Sequence, residues 1–278
     1  MSASLPMAAG RLLRLAVLSM AALVTVAPYV WMLSVASKPR DEIFSASLRL
    51  LPEHWALLDN FHKALSSVPM GYLLLNGVVV CGAILVVQVA VAVPCAYAMA
   101  KLQFRMARLM MALVLLGLLV PIHATALPLY VAFRRLDLMN SYTALVAPFT
   151  ISVFGIFLFL QFFRTLPNDL IDAARLDGMS EAGIVARVVI PNSWPAVTAF
   201  SIFSVVAHWN DLFWPLIVVT NSRMATPPLG LLNFRAAEAG ADYGALMAAA
   251  LIITLPLVCG FLLAQKRFVE GITLTGLR

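Results

Sequence analysis

Residues 167–195 read PNDLIDAARLDGMSEAGIVARVVIPNSWP, and the rest of the chain is read outward from them. This is the longest polar interruption between two strongly apolar segments, and it spells a helix, a turn and a second helix. Asn168, after Pro167, is expected to cap the first helix, with Asp169 and Asp172 at the positive end of its dipole. Ala173 and Ala174 leave a face with almost no side chain, which lets another surface approach the backbone. Asp177-Gly178 stops the helix, because glycine is free to take the left-handed conformation a C-cap needs. Ser180 caps a second short helix, with Glu181 at its start, Arg187 near its end and Pro191 closing it. Ile184 and Val188, four apart, share one side of it. Such an element, with an apolar docking side and a charged side, suits a groove on another protein.

Away from this stretch the chain is strongly apolar. Of its 278 residues 62% are hydrophobic and 12% charged, with a mean hydropathy of +0.94. A soluble domain carries about 25% charged residues, so this chain lacks the polar groups to cover a surface in water. The expected fold is all-α: a polytopic membrane protein of six transmembrane helices in one domain over residues 1–278, with the 167–195 loop between the fourth and fifth. The formal charge of +6 calls for no nucleic acid, since basic loops at a membrane surface give the same excess. Cys81, Cys95 and Cys259 lie in apolar runs without metal or disulfide spacing and are read as core residues.

The first expected span is residues 15–36, after Arg11 and Arg14. Its uncharged run of 23 residues exceeds the 7–15 of a signal-peptide core, so an uncleaved span is expected. A mixed segment with Pro39, Pro52 and Pro69 reads as a short structured external loop. No charge falls between Lys63 and Lys101, and the second span is placed at 72–100. The third is 109–133, the fourth lies within 138–163, the fifth runs about 194–220, and the sixth lies within 243–265. The side holding both termini and the 167–195 loop carries 11 Lys and Arg, the other 8, so the first is assigned to the cytoplasm.

Catalytic constellations are missing from the sequence. There is no G-x-x-x-x-G-K-[ST] to cradle ATP, no H-E-x-x-H and no G-x-S-x-G, and the four histidines have no ligand spacing. No cofactor or metal is expected on this chain, and energy for transport would come from a partner or an ion gradient. Asp211, beside Asn210 in HWNDLFWP (208–215), is the ionisable residue that falls within a span. Two readings stand side by side. In one, Asn210 and Asp211 line a pathway or a subunit contact; in the other, Asp211 is capped or hydrated near the external interface, with Trp209 and Trp214 as belt aromatics.

Asp172-Ala173-Ala174-x-x-Asp177-Gly178, with Ile190-Pro191 following, resembles the EAA loop of the membrane subunits of bacterial ABC importers. Asp172 stands where that family usually has Glu, a departure that keeps the charge. The string 209–215 is similar to the fifth span of the carbohydrate-type permeases, the group of the maltose-type second membrane subunit. Tyr29-Val30-Trp31 to Lys38 is similar to their first-span exit, and residues 265–277 to their tail, with Arg278 in place of the usual Lys-Gly. Residues 226–231 and 242–246 match the external loop that, in the maltose system, reaches into the binding protein.

The resemblance implies a permease subunit of an ATP-driven importer for a carbohydrate or carbohydrate-like solute, in a bacterial inner membrane with both termini cytoplasmic. Its implied partners are a homologous second permease, two ATPase subunits that use ATP and Mg, and an extracytoplasmic solute-binding protein. Asp172 and Asp177 would be docking charges or caps, Ala173 and Ala174 the close-contact face, and Gly178 the turn. A sugar, an oligosaccharide, an amino sugar and a glycerol phosphate ester all fit as solute. A secondary transporter would need several intramembrane polar groups at broken helices, and Asp211 alone supplies little of that. A scaffolding membrane protein would not need the EAA loop.

Overall fold

A computed structural model describes residues 7–45, 49–102, 104–234 and 242–275, and every regular element among them is helical. Arg235 and the tail residues Gly276, Leu277 and Arg278 lie outside the described residues. The helices are α1 (Met7–Ala36), α2 (Arg40–Ile43), α3 (Leu57–Ser66), α4 (Met70–Lys101), α5 (Ala107–Leu119), α6 (Ile122–Arg135), α7 (Tyr142–Val146) and α8 (Val153–Thr165). There follow α9 (Asn168–Leu176), α10 (Glu181–Ile184), α11 (Ile190–Asn192), α12 (Trp194–Trp209), α13 (Phe213–Val218), α14 (Pro227–Leu231) and α15 (Tyr243–Thr275).

Among the described residues three helices are long and apolar enough to cross a membrane, and three bent pairs would bring the total to six if each pair is one span. One bend falls within the expected third span, 109–133, and another within residues 138–163, where the fourth was placed. α5 and α6 meet at 95°, where Pro121 lacks an N–H and drives Val120 out of the helical region to ψ 112°. A 44° bend precedes α8, whose first turn is capped by Ser152 Oγ accepting from the Gly155 amide at 3.0 Å. The fifth segment stops at Trp209 and resumes at Phe213. Asp211 sits in that gap and caps α13, its Oδ1 accepting from the amides of Phe213 (3.0 Å) and Trp214 (3.4 Å).

By chain contacts the molecule falls into two compact units. In the first, residues 1–68 and 231–255, Asn60 of α3 donates through Nδ2 to the carbonyls of Ala36 and Lys38, both at 2.9 Å. Lys38, buried, donates to the Arg49 carbonyl and lies 5.7 Å from the Trp31 ring centroid. Phe44 and Tyr243 meet edge to face at 5.4 Å.

In the second unit, residues 69–230 and 256–278, a core gathers Ala92, Ala96 and Tyr97 of α4, Phe159 and Phe163 of α8, and Phe200 of α12. Phe159 stacks on Phe163 at 5.9 Å and tilts against Phe200 at 5.2 Å. Another core holds Trp214, 1% exposed, whose Nε1 donates to the Ala144 carbonyl at 2.8 Å. Trp209 is buried too, so both tryptophan rings pack within the chain. Cys81 is buried, whereas Cys259 is exposed and does not belong to a core.

Close packing of α8 on α12 depends on Gly155, where a Cβ would fall 2.7 Å from Phe200 Cε2. Overfilling a packed core costs about 1–3 kcal/mol. Gly155→Leu is therefore expected to lower the unfolding midpoint of the chain in detergent by several degrees. An unchanged midpoint in a thermal melt would mean that α8 and α12 part without cost.

Candidate functional site

The 167–195 loop folds as the expected helix-turn-helix, and the structure decides which side chains face inward. α9 begins one residue earlier than expected, at the residue read as its cap. Pro167 takes the cap position, and Asn168 is the first helical residue. Asn168 makes no cap bond because its Oδ1 accepts from Lys101 Nζ at 2.8 Å, while the same ammonium donates to the Leu166 carbonyl at 2.6 Å. The C-terminal turn forms as read. Gly178 has φ +77°, its amide donates to the Arg175 carbonyl at 3.0 Å, and the Met179 amide donates to Ala174 at 3.1 Å. Those two bonds are the Schellman pairing that a left-handed residue makes possible.

Ser180 caps α10 by accepting from the Gly183 amide at 3.2 Å. The helix does not close at Pro191. A π-turn over Val185–Val189 leads into α11, which contains Pro191. Chain direction changes by 81° beyond Asn192, where Ser193 is buried. The π-turn moves the expected pairing: the two fully buried side chains are Ile184 and Val189, five apart, with Val188 half-buried beside them.

Ala173 and Ala174 separate. Ala174 and Ile171 are buried in the core of the chain's own second unit, whereas Ala173, Asp172, Asp177 and Gly178 are exposed. Leu170 is 44% and Leu176 89% exposed on the same element. The outward surface of α9 is thus Leu170, Ala173 and Leu176 within a rim of Asp169, Asp172 and Asp177.

Asp172 has a partner within the chain. Arg175 Nη1 donates to Asp172 Oδ1 at 3.1 Å, and Arg175 Nε donates to Glu181 Oε1 at 2.9 Å. The other oxygen of Glu181 accepts from the Tyr97 hydroxyl at 2.5 Å. The hydrogen bond from Arg175, and then that from Tyr97, hold the Glu181 carboxyl below the usual carboxylate range; Glu181 in turn pushes the guanidinium of Arg175 up. A polar cleft of about 240 Å³ lined by Lys101, Asn168, Asp172 and Arg175 separates α9 from the end of α4. Sequence reading missed Tyr97, Lys101 and the bridging role of Arg175. Their one visible signal is the spacing of Tyr97 and Lys101, four apart at the end of an uncharged run.

Asn210 and Asp211 lie apart from this hairpin. Asn210 is exposed, and its Nδ2 returns to the Val206 carbonyl at 2.8 Å. Asp211 is half-buried, and near it the His123 ring lies 4.4 Å from that of Phe213. In the first unit Glu42, Glu53 and His54 come together. Glu42 there accepts from the amides of Glu53 and His54 and meets His54 Nδ1, each at 2.9 Å, and Glu53 pairs with Arg49. This is a loop clasp whose ligand oxygens are already in use.

Comparison with known proteins gives a consistent result. The family described as binding-protein-dependent transport system inner membrane component matches residues 92–273, which take in the hairpin and the Asn210–Asp211 break. The sn-glycerol-3-phosphate transport system permease protein UgpE of Pectobacterium atrosepticum is 34% identical over 243 residues, 85% of this chain and 86% of its own. The arabinooligosaccharides transport system permease protein AraQ of Halalkalibacterium halodurans is 29% identical over 259 residues, 92% of each chain. In fold, the chain matches a bacterial ABC transporter involved in the import of the acidic polysaccharide alginate. The TM-score is 0.80 at 19% identity, over 92% of this chain and 95% of that one.

Proposed function

This chain belongs to the binding-protein-dependent transport system inner membrane components and is a multi-pass permease subunit; from that premise we propose that it imports a carbohydrate or carbohydrate-like solute with energy from ATPase partners. The relatives named for sn-glycerol-3-phosphate and arabinooligosaccharides support that solute class. The observation that carries the coupling role is the hairpin itself. Its inward side chains are buried in the chain's own core, and its outward side presents a ring of carboxylates around Leu176, which no described residue covers.

In this reading α9 and its turn dock in a cleft of one ATPase subunit on the cytoplasmic face, with both termini on that side. Asp172, Ala173, Asp177 and Gly178 form or shape the docking surface, and Ala174 seats the helix on the permease. ATP and Mg stay with the ATPase pair. A second, homologous permease completes the pathway, and an extracytoplasmic binding protein delivers solute. Asn210 and Asp211, polar groups at a helix break in an apolar segment, are poorly suited to lipid and well suited to a pathway or subunit contact. Closure of the ATPases would move the hairpin and reorient the helices by a rocking of packed elements.

The test is co-purification of the chain in detergent with its co-expressed candidate ATPase subunit. The wild type should retain the ATPase through size exclusion. A folded, intact chain that retains none would sink the proposal and direct attention to ion-driven uptake.

A further inference from the structure

Four polar side chains of α4 are tied to other elements, and the ties occur at three levels along a helix about 48 Å long at 1.5 Å per residue. Asn76, buried, donates through Nδ2 to the carbonyls of Arg223 (2.8 Å) and Ala225 (2.9 Å), and its Oδ1 accepts from the Tyr142 hydroxyl at 2.7 Å. Gln88, also buried, donates to the Phe149 carbonyl at 2.8 Å at the bend before α8. Its Oε1 accepts from Ser204 Oγ at 2.7 Å, and its Nε2 lies 3.3 Å from His208 Nε2 on α12. At the other end Tyr97 bonds Glu181, and Lys101 holds Leu166 and Asn168.

These ties differ in kind from the apolar packing around them. Apolar packing between membrane helices has no hydrophobic drive behind it, since lipid tails are as apolar as the side chains, whereas a hydrogen bond joins two particular atoms. An amide or hydroxyl that loses its partner in that medium finds no water to replace it. Each tie therefore fixes α4 against its neighbour in one register. The helix is continuous through Pro94, and Val93 and Ala96 on either side of that proline are buried, so the joint is packed. α4 is thus attached at one end to the 167–195 hairpin and at the other to residues 223–225.

We propose that α4 is the rod through which displacement of the hairpin reaches the 223–225 segment, with Tyr97, Gln88 and Asn76 as the positioning residues that keep it in register. The inference rests on the importer reading above. Tyr142 secures the far end by holding the Asn76 amide oriented toward the two carbonyls. The ion pairs of Arg175 are partly exposed and contribute little to stability by themselves; their place in the rod is to fix Glu181 for Tyr97.

The test uses the full complex in lipid nanodiscs, with native cysteines replaced by alanine and a reporter cysteine introduced as Ser222→Cys, an exposed position beside the far tie. The rate of labelling by a membrane-impermeant maleimide is compared with and without trapping by ATP and vanadate. With Tyr97 and Tyr142 intact, trapping should change the rate by about threefold or more, the mark of a two-state shift at that site. Tyr97→Phe and Tyr142→Phe each remove one hydroxyl and should abolish the change, while ATPase retention and trapped nucleotide stay the same. Gln88→Met serves as a third variant should either tyrosine change prevent assembly. A labelling change that persists in an assembled variant, or that is missing from the parent complex despite trapping, overturns the rod. Absence of ATPase from the parent complex would instead overturn the importer reading.

Discussion

Gly178→Val should abolish transport while the chain still inserts, folds and accumulates in the membrane. Gly178 lies at φ +77°, and no atom of the surrounding structure comes within 4 Å of where its Cβ would be. The damage is therefore in the backbone. A β-branched residue in the left-handed region is a true outlier, and holding it there costs about 1–3 kcal/mol. The chain can avoid that cost by opening the turn, which gives up the bonds from Gly178 to Arg175 and from Met179 to Ala174. α9 would then lose its fixed angle to α10, and the outward surface would no longer match its ATPase cleft. Retention of the ATPase in detergent should disappear, with an unchanged melting midpoint for the membrane part. Normal uptake by this variant would remove the hairpin from the coupling role.

Leu176→Asp should have the second-largest effect, at the level of affinity. Leu176 is 89% exposed, twice as much as Leu170 at 44%, while Ile171 on the same helix is buried. Burying a leucine fully contributes about 1.5–3 kcal/mol, which corresponds to roughly 10–100-fold in a dissociation constant. A carboxylate there would also meet Asp172 and Asp177 on the same rim. The variant should lose most of its bound ATPase in a titration of the purified subunits, and Leu176→Met should keep it. Equal affinity for the aspartate variant would show that a different surface docks.

Much of the hairpin was legible because its signals are local. Asp177-Gly178 and Ser180 act on backbone groups within three residues, and each does what its residue type suggests. What was illegible is set by distant residues. Asn168 had the chemistry of a cap, but Lys101 takes its oxygen, so the helix starts without one. Nothing local distinguishes Ala173 from Ala174; the core that receives Ala174 comes from α4 and α8. The fifth segment reads as one apolar run because hydropathy outweighs Asp211, whose capping of α13 is a two-atom event. Pro121 was visible as a proline, but a 95° bend depends on what packs beyond it. Asn76 and Gln88 stood out only as amides in an uncharged stretch, and their partners are tens of residues away.

The π-turn at Val185–Val189 gives the second arm of the hairpin one residue more than a plain α-helix would need to bury the same pair. That surplus predicts how the segment tolerates changes of length. Deleting Ala186, which is exposed, would let the arm rewind as ordinary α-helix with Ile184 and Val189 four positions apart, still on one face. Deleting a residue from α9 has no such slack, because every side chain beyond it would turn by about 100°. Single-residue deletions among natural or engineered variants should accordingly gather in the second arm and avoid the first.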